Sequence, residues 1–142
     1  MRVLNRAIPT AELLLARAPE ELDFELLMAL KVEGNRLYLP SLVASLFRPY
    51  NSDFPEAYPQ YHEPEVSLAV AEAWSWLMAQ CLLIPSTEQG GANGQMQLSR
   101  SAKALASKTD FQSYQVSRML PKDMLHPRIA DQVWSAFIRG AF

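Results

Sequence analysis

Cysteine is almost missing from this 142-residue chain. Cys81 is the single one, so no internal disulfide is possible and the composition fits a reducing compartment. Histidine is nearly as scarce, with only His62 and His126, far apart in the chain. Two imidazoles and one thiol fall short of a zinc site, and His62-Glu63 is followed by Pro64 where a metal-binding helix would continue. No apolar run approaches the roughly 20 residues that cross a bilayer. Met1–Pro9 carries Arg2 and Arg6 but no apolar block of a secretory leader. The expectation is a cytoplasmic protein that needs no membrane, metal or cofactor. Nucleophile chemistry is not written in the chain either, because nothing in the spacing unites a serine, a histidine and an acid. The glycine-rich stretch Gly90-Gly-Ala-Asn-Gly94 lacks the Lys-Ser/Thr of a phosphate loop and has no helix directly behind it, so it reads as a hairpin tip. We therefore expect a protein that is not an enzyme, with no catalytic, cofactor-binding or metal-binding residues.

What is present is core material. Hydrophobic residues make up 49% of the chain and charged ones 20%, which suits a folded domain and excludes disorder as the main state. The net charge of −2 conceals a polarity along the chain. Residues 1–48 balance six basic against six acidic groups. Residues 49–99 hold six carboxylates and no Lys or Arg, whereas residues 100–142 hold seven basic groups against three acids. Any contact with nucleic acid must then come from the flanks.

Apolar spacing and capping signals divide the chain into short helices. Thr10 caps a helix over 10–17, and Pro19 opens a second one, with Leu22, Leu26, Leu27 and Leu30 as its buried stripe and Gly34 as its stop. Residues 36–39 look extended, and Pro40 starts a third helix reaching Phe47. Four prolines between 48 and 64 forbid regular structure there, and the interleaved Tyr50, Phe54, Tyr58 and Tyr61 are expected to pin this loop to the body.

The longest helix runs from Glu65 to about Gln80. Val66, Val70, Ala73, Trp74 and Leu77 share its buried face, and Glu65, Leu68, Glu72, Ser75 and Ala79 lie opposite. Cys81 closes the apolar face and is expected to be buried. Leu82–Ile84, a loop over 86–94, and Met96–Leu98 form a hairpin. A short basic helix over 100–107 comes next. Thr109-Asp-Phe-Gln112 reads as the capping box of a helix through Leu120, and Pro127 opens a last helix.

The predicted fold class is mostly α with a small β-hairpin. The order of elements is that of a winged-helix domain over residues 1–108, followed by a C-terminal helical extension over 109–142. In that layout Glu65–Gln80 takes the place of the recognition helix, and Ser86–Gly94 is the wing. A duplex reader needs cations and side chains that reach base edges, but this helix offers carboxylates. Nucleic acid is possible but not favoured as a partner, with Arg100, Lys103 and Lys108 as its candidate contacts.

The second half carries a resemblance to a known family. Glu65-Val-Ser-Leu-Ala-Val-Ala-Glu-Ala-Trp74, Gly90–Gly94, Leu98-Ser-Arg100, Asp110-Phe-Gln-Ser-Tyr114 and above all Leu125-His-Pro-Arg-Ile129 resemble the bacterial Ymh-type proteins, found in mobile-element and phage-defence neighbourhoods. The resemblance covers roughly residues 64–142. It implies that the Leu-His-Pro-Arg-Ile helix begins a second, HEPN-like helical domain whose RNA-cleavage motif lies beyond this sequence. The chain then corresponds to the N-terminal part of a longer protein, and no catalytic residue carries over. The function expected is a non-enzymatic winged-helix interaction and sensor module of a defence-type protein. The alternative is a DNA-binding transcriptional regulator using the basic Arg100–Lys108 segment. The partner expected is another protein or a second copy. The candidate interface residues are Trp134, Phe137 and Ile138 on the last helix and Leu68 and Trp76 on the central one.

Overall fold

A proline at the start of a helix fixes φ and leaves no orphan amide, and two glutamates behind it face the positive end of the dipole. Pro19, Glu20 and Glu21 do this for α3 (Pro19–Glu33), a long helix in the computed structural model, which describes residues 1–34, 36–47 and 56–119. Gly34 ends it at φ 100° and ψ −150°, a conformation in which a side chain would be strained. The chain divides into two compact units, Met1–Lys103 and Ala104–Phe142.

The first unit is built around the packing of α3 on α5 (Glu63–Ala79). The leucine stripe of α3 and the Val66, Val70, Ala73, Trp74 and Leu77 face of α5 are all buried, as the 3.6-residue period requires. Each such leucine contributes about 1.5–3 kcal/mol by leaving water. Two shorter helices, α2 (Ala11–Leu15) and α4 (Leu39–Leu46), pack on α5. Thr10 caps α2 by accepting the Leu13 N–H at 3.2 Å. Pro40 sits in the first turn of α4 and Pro64 in that of α5, so α5 begins slightly earlier than its apolar pattern does.

One helix was not anticipated from the sequence. α1 (Arg2–Ala7) packs on α3 and α4, burying Leu4 and Ile8. It is held by the Met1 amino group, which donates to Ser45 Oγ at 3.0 Å and lies 3.6 Å from Glu33 Oε1. Six residues are too short to show a period.

The loop before α5 is pinned by an aromatic, as expected. The Tyr58 hydroxyl donates to the Ile8 carbonyl at 2.6 Å, and its ring meets Phe47 edge-on at 6.0 Å. Burial raises the Tyr58 hydroxyl pKa to about 12. Tyr61 is exposed, while Tyr50 and Phe54 lie outside the described residues.

Beyond α5 the chain forms an antiparallel hairpin. β1 (Leu83–Pro85) pairs with β2 (Met96–Leu98) in the register Leu83↔Leu98 and Pro85↔Met96. Met96 makes its backbone hydrogen bonds to Leu37 on the other side, at 2.7 and 3.0 Å, so β2 lies between β1 and a one-residue bridge. Pro85, with no amide to donate, fits the outer strand. The loop between the strands contains a 3₁₀ turn, Gln89–Asn93, in which a side chain at Gly91 would collide with the Ser86 carbonyl.

Two local expectations are corrected here. Cys81 is exposed, not buried, and stands at φ 58°. It occupies the left-handed position just past α5, where the Cys81 N–H bonds Met78 O and the Leu82 N–H bonds Leu77 O, each at 3.0 Å. That reversal turns Leu82 inward and Cys81 outward. The second correction concerns the capping box. Ser107, not Thr109, caps α7 (Lys108–Met119): Ser107 Oγ accepts the Asp110 N–H at 3.2 Å, and Asp110 Oδ2 accepts the Ala106 N–H at 3.3 Å. The basic helix before it, α6 (Arg100–Ala104), is also shorter than expected. In all, the protein is mostly helical with a small two-stranded antiparallel sheet.

Candidate interaction surface

With one face of α5 sunk against α3, the other is left outside. Multiples of 100° place Leu68, Ala71, Glu72, Ser75 and Trp76 within one arc of the helix, opposite the buried face. Leu68 is 62% exposed and Trp76 40%, although both are large apolar side chains. Exposed apolar groups grouped this way, rather than scattered, mark contact surfaces.

Tertiary packing shapes this face into a trough. A shallow depression of about 420 Å³ lies between Pro19 of α3 and Leu68, Glu72 and Trp76 of α5. A second, of about 390 Å³, lies between Leu39, Pro40 and Val43 of α4 and Glu63 and Ser67 of α5. Ala71 lines both, so they adjoin across α5. Leu68 and Trp76 were expected from the sequence to belong to an interface, and the structure sets both along the first depression. Pro19 and the α4 residues were not, because no periodicity within one helix reveals which neighbour will stand beside it.

The charge in the trough is of one sign. Glu63 and Glu72 line it, and among the described residues no lysine or arginine does. Glu20 and Glu21, which follow Pro19 in α3, are exposed but line neither depression. Arg17, two residues before Pro19, is engaged by Glu25 at 3.5 Å.

At the hairpin loop a polar cleft of about 400 Å³ is lined by Arg36, Glu88, Gln89, Gly90 and Gln95. Its cation lies 3.5 Å from Glu88, an exposed ion pair worth about 0–1 kcal/mol.

The other expected site residues lie elsewhere. Arg100 and Lys103 stand three apart on α6, both exposed, and Lys108 is exposed at the start of α7 in the second unit. Among the described residues no carboxylate is within ion-pair distance of these three. Trp134, Phe137 and Ile138 lie outside the described residues, as does His126.

His62 contacts Glu12 across the α2–α5 junction, with Nε2 3.1 Å from Oε1. The Glu12 carboxyl is held below its usual range, chiefly by a backbone hydrogen bond at the start of α2 and further by His62. No group of three metal-ligating side chains occurs among the described residues. No helix among them is long and apolar enough to cross a membrane.

One buried acid was not anticipated from the sequence. Asp23, on the core side of α3, is fully buried and accepts from Gln80 Nε2 at 3.3 Å. Burial, and secondarily the charge of Glu20, push its pKa up to about 8 against the opposing hydrogen bond from Gln80. The signal was in the spacing: Asp23 stands three, four and seven residues before Leu26, Leu27 and Leu30, on the same face of α3 and beyond the first-turn acids Glu20 and Glu21.

Comparison with protein-family models, with curated proteins and with solved structures finds no match to this chain.

Proposed function

We propose that this protein is a non-enzymatic interaction and sensor module that works through protein contacts, with α5 presented as the contacting helix. One observation carries the reading: the exposed face of α5 is apolar and acidic, with no cation on it. Duplex readers offset phosphate charge with Lys and Arg, and carboxylates facing a polyanion repel it. The order α3, the Leu37 bridge, α4, α5 and the hairpin supports a winged-helix arrangement, with α5 in the recognition-helix position and residues 86–94 as the wing. A cytoplasmic place and a role in a mobile-element or phage-defence system of the Ymh type belong to the same proposal.

A second reading, DNA binding through the Arg100–Lys108 segment, draws support from the exposed cations Arg100, Lys103 and Lys108. Fluorescence anisotropy with random duplex DNA at low and moderate salt separates the two. The interaction reading expects no binding even at low salt. Tight, steeply salt-dependent binding that survives Glu72→Lys but is lost in Arg100→Ala/Lys103→Ala would establish the second reading and overturn the first.

A further inference from the structure

The trough across α5 has the chemistry of a receptor for one kind of segment. We propose that its occupant is a cationic amphipathic helix of another protein, laid across α5 with apolar side chains in the two depressions and lysine or arginine over the acidic rim. This rests on the protein-interaction reading above and names the partner class.

Shape and charge both support it. Ala71 and Ser75 are small, so an incoming backbone can come close, while Leu68 and Trp76 rise beside them as apolar walls. Two depressions that share Ala71 offer seats for more than one apolar side chain, as helix-in-groove recognition uses. Glu63 and Glu72 stand in the trough, and residues 49–99 contain no Lys or Arg. A second copy presenting the same face would set carboxylates against carboxylates, and a nucleic acid would set phosphates against them. A helix bearing ammonium or guanidinium groups instead finds complementary charge and apolar area together.

The test uses the full chain and a fluorescein-labelled Leu/Lys amphipathic peptide of about 18 residues, long enough to be helical. Two control peptides go with it: one of the same composition with its order scrambled, and one with glutamate replacing every lysine. Anisotropy should show binding of the amphipathic lysine peptide, a loss of about tenfold or more for the scrambled one, and none for the glutamate one. Glu72→Lys and Ala71→Arg, both outside the core, should each weaken binding about tenfold or more. Glu88→Lys changes the net charge equally at the hairpin and should stay within about twofold of the parent. Equal losses in Glu72→Lys and Glu88→Lys, or equal binding of the scrambled peptide, would show diffuse attraction and overturn the proposal. So would sedimentation showing a dimer that Ala71→Arg abolishes, since a second copy would then be the occupant. If neither the peptide nor duplex DNA binds, the cationic-helix inference falls and the interaction reading stands. Duplex DNA whose binding is lost in Ala71→Arg would remove both.

Discussion

Replacing Asp23 by asparagine should change how stability depends on pH more than how large it is. In the folded chain the carboxyl is buried, and its pKa rises to about 8 from 3.8. Unfolded, it ionises near its ordinary value. Between about pH 4 and pH 8 the folded state therefore binds one more proton than the unfolded state. Stability attached to this group is fully present below the lower value and is lost as pH rises towards the upper one. The slope for one proton is about 1.4 kcal/mol per pH unit, so from pH 5 to pH 7 the loss is about 3 kcal/mol. Set against the roughly 5–15 kcal/mol of a typical domain, that is a large fraction.

Asparagine keeps an oxygen that can accept from Gln80 Nε2 but cannot ionise. Asp23 Oδ1 has no hydrogen-bond partner among the described residues. An amide nitrogen in that place would cost about 1–3 kcal/mol if unsatisfied, but equally at every pH. Urea unfolding followed by tryptophan fluorescence at pH 5, 6, 7 and 8 gives the comparison. Relative to Asp23→Asn, the parent should lose about 3 kcal/mol between pH 5 and pH 7, with the difference levelling off above pH 8. Groups common to both proteins, the His62–Glu12 pair among them, cancel in that difference. A constant offset across the whole range would refute the reasoning, because it would mean that Asp23 ionises as readily in the fold as outside it.

Cys81→Gly should stabilise the protein by about 0.5–1 kcal/mol, since φ 58° suits glycine better than any side chain; chemical denaturation reads it, and a loss of stability would contradict the cap geometry. Tyr58→Phe removes the 2.6 Å hydrogen bond to Ile8 O and leaves that carbonyl without it, for a cost of about 1–3 kcal/mol with the edge-on contact to Phe47 retained. Trp74→Ala should cost about 3–5 kcal/mol, whereas Trp76→Ala, on the exposed face, should stay within about 1 kcal/mol of the parent; thermal unfolding of the pair checks which tryptophan belongs to the core.

The helices that fill the core were legible in the chain wherever a stripe ran long enough to repeat. Leu22, Leu26, Leu27 and Leu30, and Val66 through Leu77, are buried as their spacing requires, because a 3.6-residue period and a single apolar side leave a helix one way to face. Thr10 as a cap, Gly34 as a stop and the glycine-rich hairpin tip were legible for the same reason: each is a local backbone demand met by a local residue. The charge pattern is a property of the chain itself: residues 49–99 hold six carboxylates and no Lys or Arg however they fold.

Tertiary structure decided the rest. α1 is too short to display a period and is held by partners in α3 and α4. Cys81 belongs to an apolar stretch in one dimension, yet a left-handed residue after α5 turns it outward. The period of the leucine stripe puts Asp23 on the buried face of α3, but only the end of α5 packing beside it supplies Gln80 as the partner of its carboxylate. The trough is the clearest case. Leu68 and Trp76 were placed on the right face by counting residues, but Pro19 and the start of α4 became its walls only when helices distant in the chain packed beside α5. A pattern along one helix fixes which side is wet. Which neighbours border that side depends on how whole helices pack, and no single stretch of sequence holds that information.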